Sequence, residues 1–497
     1  MQNARHVEFF LVVLLLFCFC FSGWSFAGNT LERELNRFAS DPSLKNATWG
    51  LTVIDVKTGR TIVAHNQHMA LSPASTQKLI TTATALLMLG NDFRYQTTLG
   101  YSGFIDPSGI LHGNLIVKGS GDPTFASTQL HDSLRLEMVF MQLTQAINKA
   151  GIRKVNGRII IDESVFDNEL VPRKWLWEDI GNYFGSGASG LTVNENMYTI
   201  FFEPGHQLGH PAKVLRTEPA IPDMVFINQV TTGPHGSGDQ VNIFGAPYQM
   251  QRTLTGTVPH GRSNFAVRGS IPDPPGFFAA AFSNFLTQNG IAQSFPPTTH
   301  RIEITAGNKV AEIEKVLGTL ASPTITHIAA RTNLHSVNSY AENLLKTIGL
   351  SAKATGSNPA GIEAMIEFWK SRGLDIGGMF LYDGSGMSPS NRMTTAQLAS
   401  ILRTMAQSPQ YESFLAGFPL AGRSGSLANL FRGTASEGVL RAKSGFISNV
   451  RSYAGYTTTT NGKILAFAFI VNDYQGTPAN MREKMIKVMD AITRYNQ

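Results

Sequence analysis

The stretch Pro73-Ala74-Ser75-Thr76-Gln77-Lys78 begins the segment that decides the fold and points to a single site. From Pro73 to Leu89 apolar residues recur at helical spacing, and Gly90 follows where a helix would end, so we expect a helix that begins near Pro73. Ser75 and Lys78 are three residues apart, which would place the lysine amine within reach of the serine hydroxyl on one helix face. Backbone N–H groups at a helix start also favour a developing oxyanion.

Taken alone, Ser-x-x-Lys is weak evidence, because it occurs by chance in many long chains. Ser75 would then be a helix cap and Lys78 a solvated side chain. Two further groups change this interpretation: Ser336-Val337-Asn338 precedes a helical pattern from Tyr340 to Ile348, and Lys443-Ser444-Gly445 lies in a strand-rich region. A lysine in a partly buried site can lose its proton near neutral pH and act as a base.

The two ends of the chain predict one α/β domain. Strands at the N-terminal end, helices after them and strands again near the C terminus favour a single sheet with helices, in which the two ends of the chain meet. The predicted elements are two strands within Trp49 to His65 around a turn at Lys57-Thr58-Gly59-Arg60, strands at Val439 to Ser444, Arg451 to Thr457 and Lys463 to Val471, a hairpin turn at Asn461-Gly462, and a helix from Met481 to Tyr495.

The middle of the chain has a different pattern. From about Phe93 to about Gly318 it contains short strand patterns, Gly/Pro turns and few helices, of which Pro275 to Gln288 is the clearest. We therefore expect a large, mainly β insertion at 96–318, forming two subdomains. The catalytic domain would be discontinuous, with residues 28–95 and 319–497.

The N-terminal segment Met1 to Ala27 is typical of a cleaved secretory signal peptide, with a basic start, an apolar run and small residues before the cleavage site. An uncleaved anchor is the alternative. An exported protein would be periplasmic or face the cell wall, and it could be loosely membrane-associated. The only cysteines, Cys18 and Cys20, lie in this segment, so the mature chain would have no disulfide, thiolate zinc site or cysteine nucleophile. The net charge of +6 is spread along the chain, which argues against nucleic acid as a partner.

Three motifs in this order, Ser-x-x-Lys, Ser-x-Asn and Lys-Ser-Gly, resemble the signature of the penicillin-recognising serine acyl-transferases. Lys78 and Ser336 are 258 residues apart, and this long interval is similar to the class C low-molecular-mass penicillin-binding proteins, the D-alanyl-D-alanine carboxypeptidase/endopeptidases of the penicillin-binding protein 4 type. The likeness covers nearly the whole mature chain. It includes Gly119-Ser120-Gly121-Asp122-Pro123-Thr124, Gly157 to Asp167, Ser189 to Asn196, Asp383-Gly384-Ser385-Gly386-Met387-Ser388 and Pro419-Leu420-Ala421-Gly422.

The resemblance implies a serine β-lactamase/DD-peptidase-like α/β fold, an antiparallel sheet with helices that carries a large, mainly β insertion. It also implies a catalytic role for three residues. Ser75 would be the nucleophile, Lys78 its general base, and Ser336 a relay of the proton to the leaving D-alanine. Asn338 would bind the substrate's peptide amide, and Lys443 would hold its terminal carboxylate. The substrates would be peptidoglycan stem peptides, β-lactams would inhibit by acylating the serine, and neither a metal nor another cofactor would be needed.

Other residues come from the same resemblance. Ser444 would help Lys443 to hold the carboxylate, and the backbone N–H groups of Ser75 and of Phe446, which follows Gly445, would form the oxyanion hole. Asp179 and Phe184 of the insertion would contact the substrate's side-chain amine, although the alternative is a solvated aspartate and a core phenylalanine. The chain departs from the pattern in two places: Pro389 stands where many members have arginine, and Ser444 replaces threonine.

Several competing interpretations are weaker. Gly185-Ser186-Gly187-Ala188-Ser189-Gly190 fits a dinucleotide motif, yet a strand-like stretch, Leu191 to Phe202, follows it instead of a helix. His206 and His210 have metal-site spacing but lie among prolines and glycines. A β-lactamase would need a second base, for which the candidates are Glu363 and Glu367. A non-catalytic peptidoglycan-binding relative is the alternative from another class. The sequence leaves open the balance of carboxypeptidase and endopeptidase activity, the diamino acid of the stem peptide and whether the protein forms a homodimer.

Overall fold

A computed structural model of the chain describes residues 30–128, 130 and 135–496. The predicted signal peptide, Met1 to Ala27, and the two cysteines lie outside these described residues. Within them, no helix has the length and apolar character needed to cross a membrane.

The described residues form helices of very different lengths. The α-helices are α1 Thr30–Ala39, α2 Lys78–Leu89, α3 Leu136–Lys149, α4 Trp177–Ile180, α5 Pro274–Gln288, α6 His300–Thr305, α7 Ile325–His335, α8 Asn338–Lys353, α9 Asn358–Ser371, α10 Thr395–Ala406, α11 Tyr411–Leu415 and α12 Pro478–Thr493.

The strands are mostly short between β3 and β18 and longer near the two ends of the chain. They are β1 Thr48–Asp55, β2 Thr61–His65, β3 Gln96–Tyr101, β4 Phe104–Ile105, β5 Ile110–His112, β6 Leu115–Lys118, β7 Lys154–Val155, β8 Ile159–Asp162, β9 Met197–Glu203, β10 Lys213–Glu218, β11 Val225–Asn228, β12 Thr231–Gly233, β13 Gln240–Phe244, β14 Gln251–Pro259, β15 Phe265–Ser270, β16 Ala292–Gln293, β17 Thr298–Thr299, β18 Lys315–Ala321, β19 Arg441–Ile447, β20 Val450–Thr458 and β21 Ile464–Asn472.

The two ends of the chain meet in one five-stranded antiparallel sheet, in the order β19-β20-β21-β1-β2. β1 pairs with β21 along its whole length. The hairpin between β20 and β21 turns through Gly462, whose φ of +83° is the left-handed conformation that glycine adopts readily. The predicted α/β fold, with both ends of the chain in one sheet, is confirmed, and β19 lies at the edge of that sheet.

Helices cover both faces of this sheet, because successive side chains of each strand point to opposite faces. Phe467 and Phe469 of β21 belong to the core formed with α1 and α12. Ala466 and Ala468 alternate with these phenylalanines along β21. They belong to the core formed with α2, α7, α8, α9 and α10. The small alanine side chains allow α10 to pack closely on β21. The second core holds α2 and α8, which carry two of the three motifs at their N-terminal ends.

The middle of the chain forms its own core from short strands in several sheets. The sheet orders are β17-β8-β6-β3-β18, β16-β7-β5-β4, β10-β9-β15 and β11-β14-β12 with β13 on β14. The helix predicted from Pro275 to Gln288 is present as α5, but α3 is a helix that we did not predict. β18 pairs with β3, so the proposed domain junction at 318/319 falls inside a strand; the division itself stays a prediction.

Some predicted boundaries differ from the structure. The strand expected over Leu191 to Phe202 begins only at Met197, because a 3-10 turn at Asn194–Asn196 precedes it. The strand expected from Val439 begins at Arg441. The C-terminal helix begins at Pro478, because the Thr477 side chain caps it by accepting a hydrogen bond from the Asn480 backbone.

Candidate active site

Ser75 lies in a 3-10 turn, Ala74–Gln77, directly before α2. The predicted helix from near Pro73 is therefore corrected: its first turn is 3-10, and the α-helix begins at Lys78. Ala74 has a φ of +45°, a left-handed conformation that a residue with a side chain rarely adopts and that an α-helix would not tolerate.

Two hydroxyl groups hold this strained turn. The side chains of Thr76 and Ser452 each donate a hydrogen bond of 2.6 Å to the Pro73 carbonyl oxygen. Ser452 belongs to β20, so the turn is fixed to the sheet as well as to itself. The strain at Ala74 is thereby maintained, and the half-buried Ser75 is presented beside the sheet.

The amine of Lys78 is completely buried and makes three polar contacts. Its Nζ lies 3.0 Å from Ser75 Oγ, 2.6 Å from Asn338 Oδ1 and 2.7 Å from the Ser385 carbonyl oxygen. A neutral amine has two N–H groups and one lone pair. It can therefore donate to Asn338 and Ser385, which only accept here, and accept the hydrogen of Ser75. This arrangement is suited to removing a proton from the serine.

Burial also favours the neutral form of this amine. Desolvation lowers the pKa of Lys78 to about 7, although the negative charges of Asp383 and Glu342 act in the opposite direction. Burial, followed by the charge of Lys78, lowers the pKa of Lys443 well below its usual range. Near neutral pH a substantial fraction of Lys78 is thus able to act as a base.

Ser336 and Lys443 come together from two distant parts of the chain. Ser336 follows α7 with a φ of +59°, and its hydroxyl oxygen accepts a hydrogen bond of 2.9 Å from the Lys443 amine. The same amine donates to the Ser444 carbonyl oxygen at 2.7 Å. The second and third motifs are therefore in direct contact.

Asn338, the first residue of α8, connects Lys78 to the inserted region. Its side-chain oxygen accepts from Lys78, and its side-chain nitrogen donates to the Phe184 carbonyl oxygen at 2.7 Å. A weaker contact of 3.3 Å joins this nitrogen to Met387 Sδ. Because both ends of the amide are engaged, its orientation is fixed.

The edge strand β19 lies against the 3-10 turn Ala74–Gln77, which we name the serine turn. A β-carbon built on Gly445 would lie 2.9 Å from the Ser75 backbone nitrogen and 2.8 Å from the Pro73 carbonyl oxygen, closer than β-carbons are found. Glycine thus permits the close approach. On either side of Gly445, Ser444 Oγ donates to Ser426 Oγ at 2.8 Å, and Phe446 is half exposed.

A cleft of about 510 Å³ opens beside Ser75. Asn338 and Phe446 line it, and so do both nominated residues of the insertion, Asp179 and Phe184. Burial, and then the neighbouring Glu178, raise the pKa of Asp179 to about 6, so this side chain is mostly ionised at neutral pH. The lining is completed by Leu176, Glu178, Tyr183, Met387, Pro389, Ile447 and Ser448.

The structure adds two buried carboxylates that the sequence analysis did not nominate. Asp383 is fully buried and accepts hydrogen bonds from the Trp175 side chain at 2.9 Å and the Ser388 backbone at 2.6 Å, among others. Glu342 is also fully buried. It lies four residues after Asn338 on α8 and thus on the same helix face, a signal that was available in the sequence.

The other sequence signals lie away from the cleft. His206 and His210 are exposed in the loop between β9 and β10, outside any helix. Glu363 and Glu367 are exposed on α9, and both form ion pairs with Lys353. Among the described residues, no cluster of three or more histidine, cysteine or acidic side chains could hold a metal ion.

Three features of this site, together with the fold, are typical of the serine β-lactamase/DD-peptidase class of enzymes. They are the buried lysine beside the serine, the contact between that lysine and the Ser-x-Asn motif, and the edge strand against the serine turn. Residues 31–494 match the sequence model of the D-Ala-D-Ala carboxypeptidase 3 (S13) family, and the chain belongs to that family. It is an enzyme, a serine-type D-Ala-D-Ala carboxypeptidase, as the resemblance implied.

Comparisons with individual proteins agree with this assignment. The D-alanyl-D-alanine carboxypeptidase of Actinomadura sp. (strain R39) is 29% identical over 476 residues, covering 93% of this chain and 83% of the relative. The corresponding enzyme of Haemophilus influenzae is 25% identical over 435 residues, with coverage of 86% and 85%. The solved structure of penicillin binding protein 4 from Haemophilus influenzae matches with a TM-score of 0.78 at 22% identity, covering 93% of this chain and 99% of that one, and it supports the fold.

Proposed function

We propose that this protein is exported and hydrolyses peptidoglycan stem peptides through an acyl-enzyme on Ser75. The observation that carries the proposal is the buried Lys78 amine, 3.0 Å from the serine hydroxyl. Lys78 takes the serine proton as Ser75 Oγ forms a bond to the carbonyl carbon of the penultimate D-alanine. The two other contacts of the amine, with Asn338 and Ser385, hold its lone pair toward the serine during this step.

The oxyanion of the tetrahedral intermediate would be bound by the backbone N–H groups of Ser75 and Phe446. The close approach of Gly445 to the Ser75 nitrogen supports this role, because it brings β19 beside the serine. The C–N bond then breaks as the Ser336 hydroxyl gives its proton to the leaving D-alanine nitrogen. The proton that Lys78 took from Ser75 replaces it, which returns Lys78 to its neutral form. Water hydrolyses the remaining ester and regenerates the serine.

Lys443 and Ser444 would hold the terminal carboxylate of the substrate, while Asn338 would bind its peptide amide. The pKa of Lys443 is low because the amine is buried beside another cation. An incoming carboxylate would raise that pKa again and restore the positive charge that binds it. The interaction thus becomes strong only when the substrate is present.

Asp179 and Phe184 would contact the amine at the end of the substrate's side chain. Both line the same cleft as Ser75, and an ionised Asp179 at neutral pH is the expected partner of an ammonium group. Pro389 also lines the cleft, while Arg392, three residues later, donates to the Pro389 and Asn391 carbonyl oxygens. A substrate carboxylate in this part of the cleft would therefore meet a proline ring in place of an arginine.

The two alternatives from the sequence have less support. A β-lactamase would need a second base near the acyl-enzyme, and Glu363 and Glu367 are paired with Lys353 on the surface of α9. A non-catalytic relative that holds peptidoglycan would have no need of the three contacts made by Lys78. Penicillin binding protein 4 from Haemophilus influenzae has been solved in complex with a β-lactam, and binding of β-lactams by this chain is part of the proposal.

The test is the intact mass of the mature protein after mixing with benzylpenicillin, run beside Ser75→Ala and Lys78→Ala. We expect a persistent penicilloyl adduct on the wild type and none on either variant, together with release of D-alanine from a peptide ending in D-Ala-D-Ala. Rapid loss of penicillin without an adduct would indicate a β-lactamase. No adduct and no turnover would favour the non-catalytic relative.

Endopeptidase activity on cross-links belongs to the same proposal, as does an extracytoplasmic location. Digestion of purified cross-linked muropeptides, with Ser75→Ala as the control, measures the endopeptidase activity. The stem peptide in a cross-link ends at the same kind of D-alanyl bond, so the residues named above would serve both reactions.

A further inference from the structure

A fully buried glutamate lies behind the lysine of the active site. Glu342 points from α8 toward the segment Asp383–Ser388, which we name the anchor loop. Its carboxylate accepts hydrogen bonds from the Ser385 backbone at 2.8 Å and the Gly384 backbone at 3.0 Å. Its second oxygen also accepts from the Asn358 side chain at 3.1 Å. A buried carboxylate is costly unless it is bonded in this way, so these contacts hold both partners in place.

The anchor loop is the part of the structure that receives the Lys78 amine. Ser385 contacts both Glu342 and Lys78. Its backbone N–H donates to Glu342, and its carbonyl oxygen accepts a hydrogen bond of 2.7 Å from Lys78 Nζ. The Gly384 carbonyl oxygen, one residue earlier, accepts from the Thr81 hydroxyl of α2 at 2.7 Å. Continuous hydrogen bonds thus lead from Glu342, through one backbone segment, to the amine that contacts Ser75.

Four ionisable groups share this buried region. Lys78 is faced by Asp383 from the anchor loop, by Glu342 from α8 and by Lys443 from β19. Glu342 is faced by Asp383 and Lys78, while α9 presents the Asn358 amide to it. Burial, and then the charge of Asp383, raise the pKa of Glu342 to about 7. Its ionised form, where populated, favours the protonated form of Lys78.

We propose that Glu342 is a positioning residue for acylation: its carboxylate holds the Gly384–Ser385 backbone so that the Ser385 carbonyl keeps the Lys78 amine directed at Ser75. This role rests on the proposed function of Lys78 as the base. Glu342 does not line the cleft beside Ser75, so it acts through the loop and not on the substrate.

Two substitutions separate the geometry of Glu342 from its charge. Glu342→Gln keeps an oxygen for the two backbone N–H groups. In this variant the side-chain amide of Asn358 can reverse. Its Oδ1, which accepts no hydrogen bond from any described residue, would then face the new glutamine and accept a hydrogen bond from the glutamine N–H. Glu342→Leu removes the anchor altogether. Glu163→Gln is the matched control, since Glu163 is a buried carboxylate of the inserted region that accepts from the Arg301 backbone at 2.9 Å.

The experiment measures the second-order rate constant of acylation by benzylpenicillin from pH 5 to 9, with thermal unfolding of each variant. We expect Glu342→Leu to lose about 100-fold at all pH values, the scale for a misplaced catalytic group. Glu342→Gln should retain the wild-type rate above pH 8. Its acid limb should move to lower pH by less than about one unit, because only the ionised fraction of Glu342, whose own pKa is about 7, favours the protonated form of Lys78. Glu163→Gln should match the wild type.

Two results would overturn this role: a Glu342→Leu variant that acylates at the wild-type rate, or a Glu342→Gln variant that is slowed equally at all pH values with a lower melting temperature. The last would indicate a purely structural glutamate. If the wild type itself is not acylated, the proposed function fails and this role with it, so the two failures are distinguishable.

Discussion

Gly445→Ala tests whether β19 must lie against the serine turn. The added methyl group would meet the Ser452 hydroxyl, the Pro73 carbonyl oxygen at 2.8 Å and the Ser75 nitrogen at 2.9 Å. The Ser452 hydroxyl could rotate only by giving up its hydrogen bond to Pro73, and the other two atoms belong to the backbone. The strand therefore has to move away from Ser75. Overpacking of this kind costs about 1–3 kcal/mol of folding stability.

The effect on catalysis should exceed the effect on stability. A displacement of about 1 Å at the oxyanion hole is enough to cost about 100-fold in rate. Stopped-flow acylation by a chromogenic cephalosporin gives the rate constant, and urea unfolding gives the free energy. Gly318→Ala in β18 is the control, because its β-carbon would make only an ordinary contact, 3.7 Å from the β-carbon of Ala146. We expect its stability to change by less than about 1 kcal/mol, with an unaltered acylation rate.

An acylation rate for Gly445→Ala within about threefold of the wild type, in a protein of unchanged stability, would refute this reasoning. The methyl group would then have been accommodated without moving β19, and the oxyanion hole could not depend on the close approach. A stable variant that acylates slowly would, by contrast, support it directly.

Three more predictions concern the pH dependence, the side-chain amine and the replaced threonine. Burial lowers the pKa of Lys78 to about 7, and the neutral amine is the proposed base. The acylation rate should therefore fall about tenfold per pH unit below pH 7, and a rate that stays flat down to pH 5 would contradict this prediction. Asp179→Asn should lower kcat/KM about tenfold or more for a peptide with a free side-chain amine, as expected for a lost charged hydrogen bond, but not for the same peptide with that amine acetylated. Ser444→Thr keeps the hydroxyl and should change kcat/KM for release of D-alanine by less than about threefold. Ser444→Ala removes the hydroxyl and should lower the same kcat/KM about fivefold. Equal losses in both variants would argue against a role for the hydroxyl.

The sequence was most informative where local chemistry decides the structure. Alternating strands and the Asn461-Gly462 turn predicted the sheet. The three motifs named residues that the structure brings into contact around Ser75. The 3-10 turn at Ser75 was not predictable in this way. It depends on a bond from Ser452 to Pro73, 379 residues apart in the chain, that maintains the unusual conformation of Ala74.

The missed features have different physical causes. The apolar spacing of α3 was present in the sequence, with Val139, Phe140, Leu143 and Ile147 on one face, but the turn-rich segments around it favoured a mainly β interpretation. Glu342 carried the spacing signal from Asn338, yet an acidic residue on a helix is usually solvated. Its burial results from contact with a loop some forty residues later, which only the tertiary structure reveals.

The middle of the chain, which we predict to be an insertion, is joined to the active site by two hydrogen bonds. Trp175 donates to Asp383 in the anchor loop, and the Phe184 carbonyl oxygen accepts from Asn338. Both hydrogen bonds reach groups next to the lysine. Asn338 contacts Lys78 directly, and the loop that contains Asp383 supplies the second acceptor of the amine, the Ser385 carbonyl oxygen. A shift of the insertion would therefore move the amine's hydrogen-bond partners together with the cleft wall that carries Asp179. The substrate contacts proposed for Asp179 would thus influence the proposed base as well as binding, because the same segment supports both.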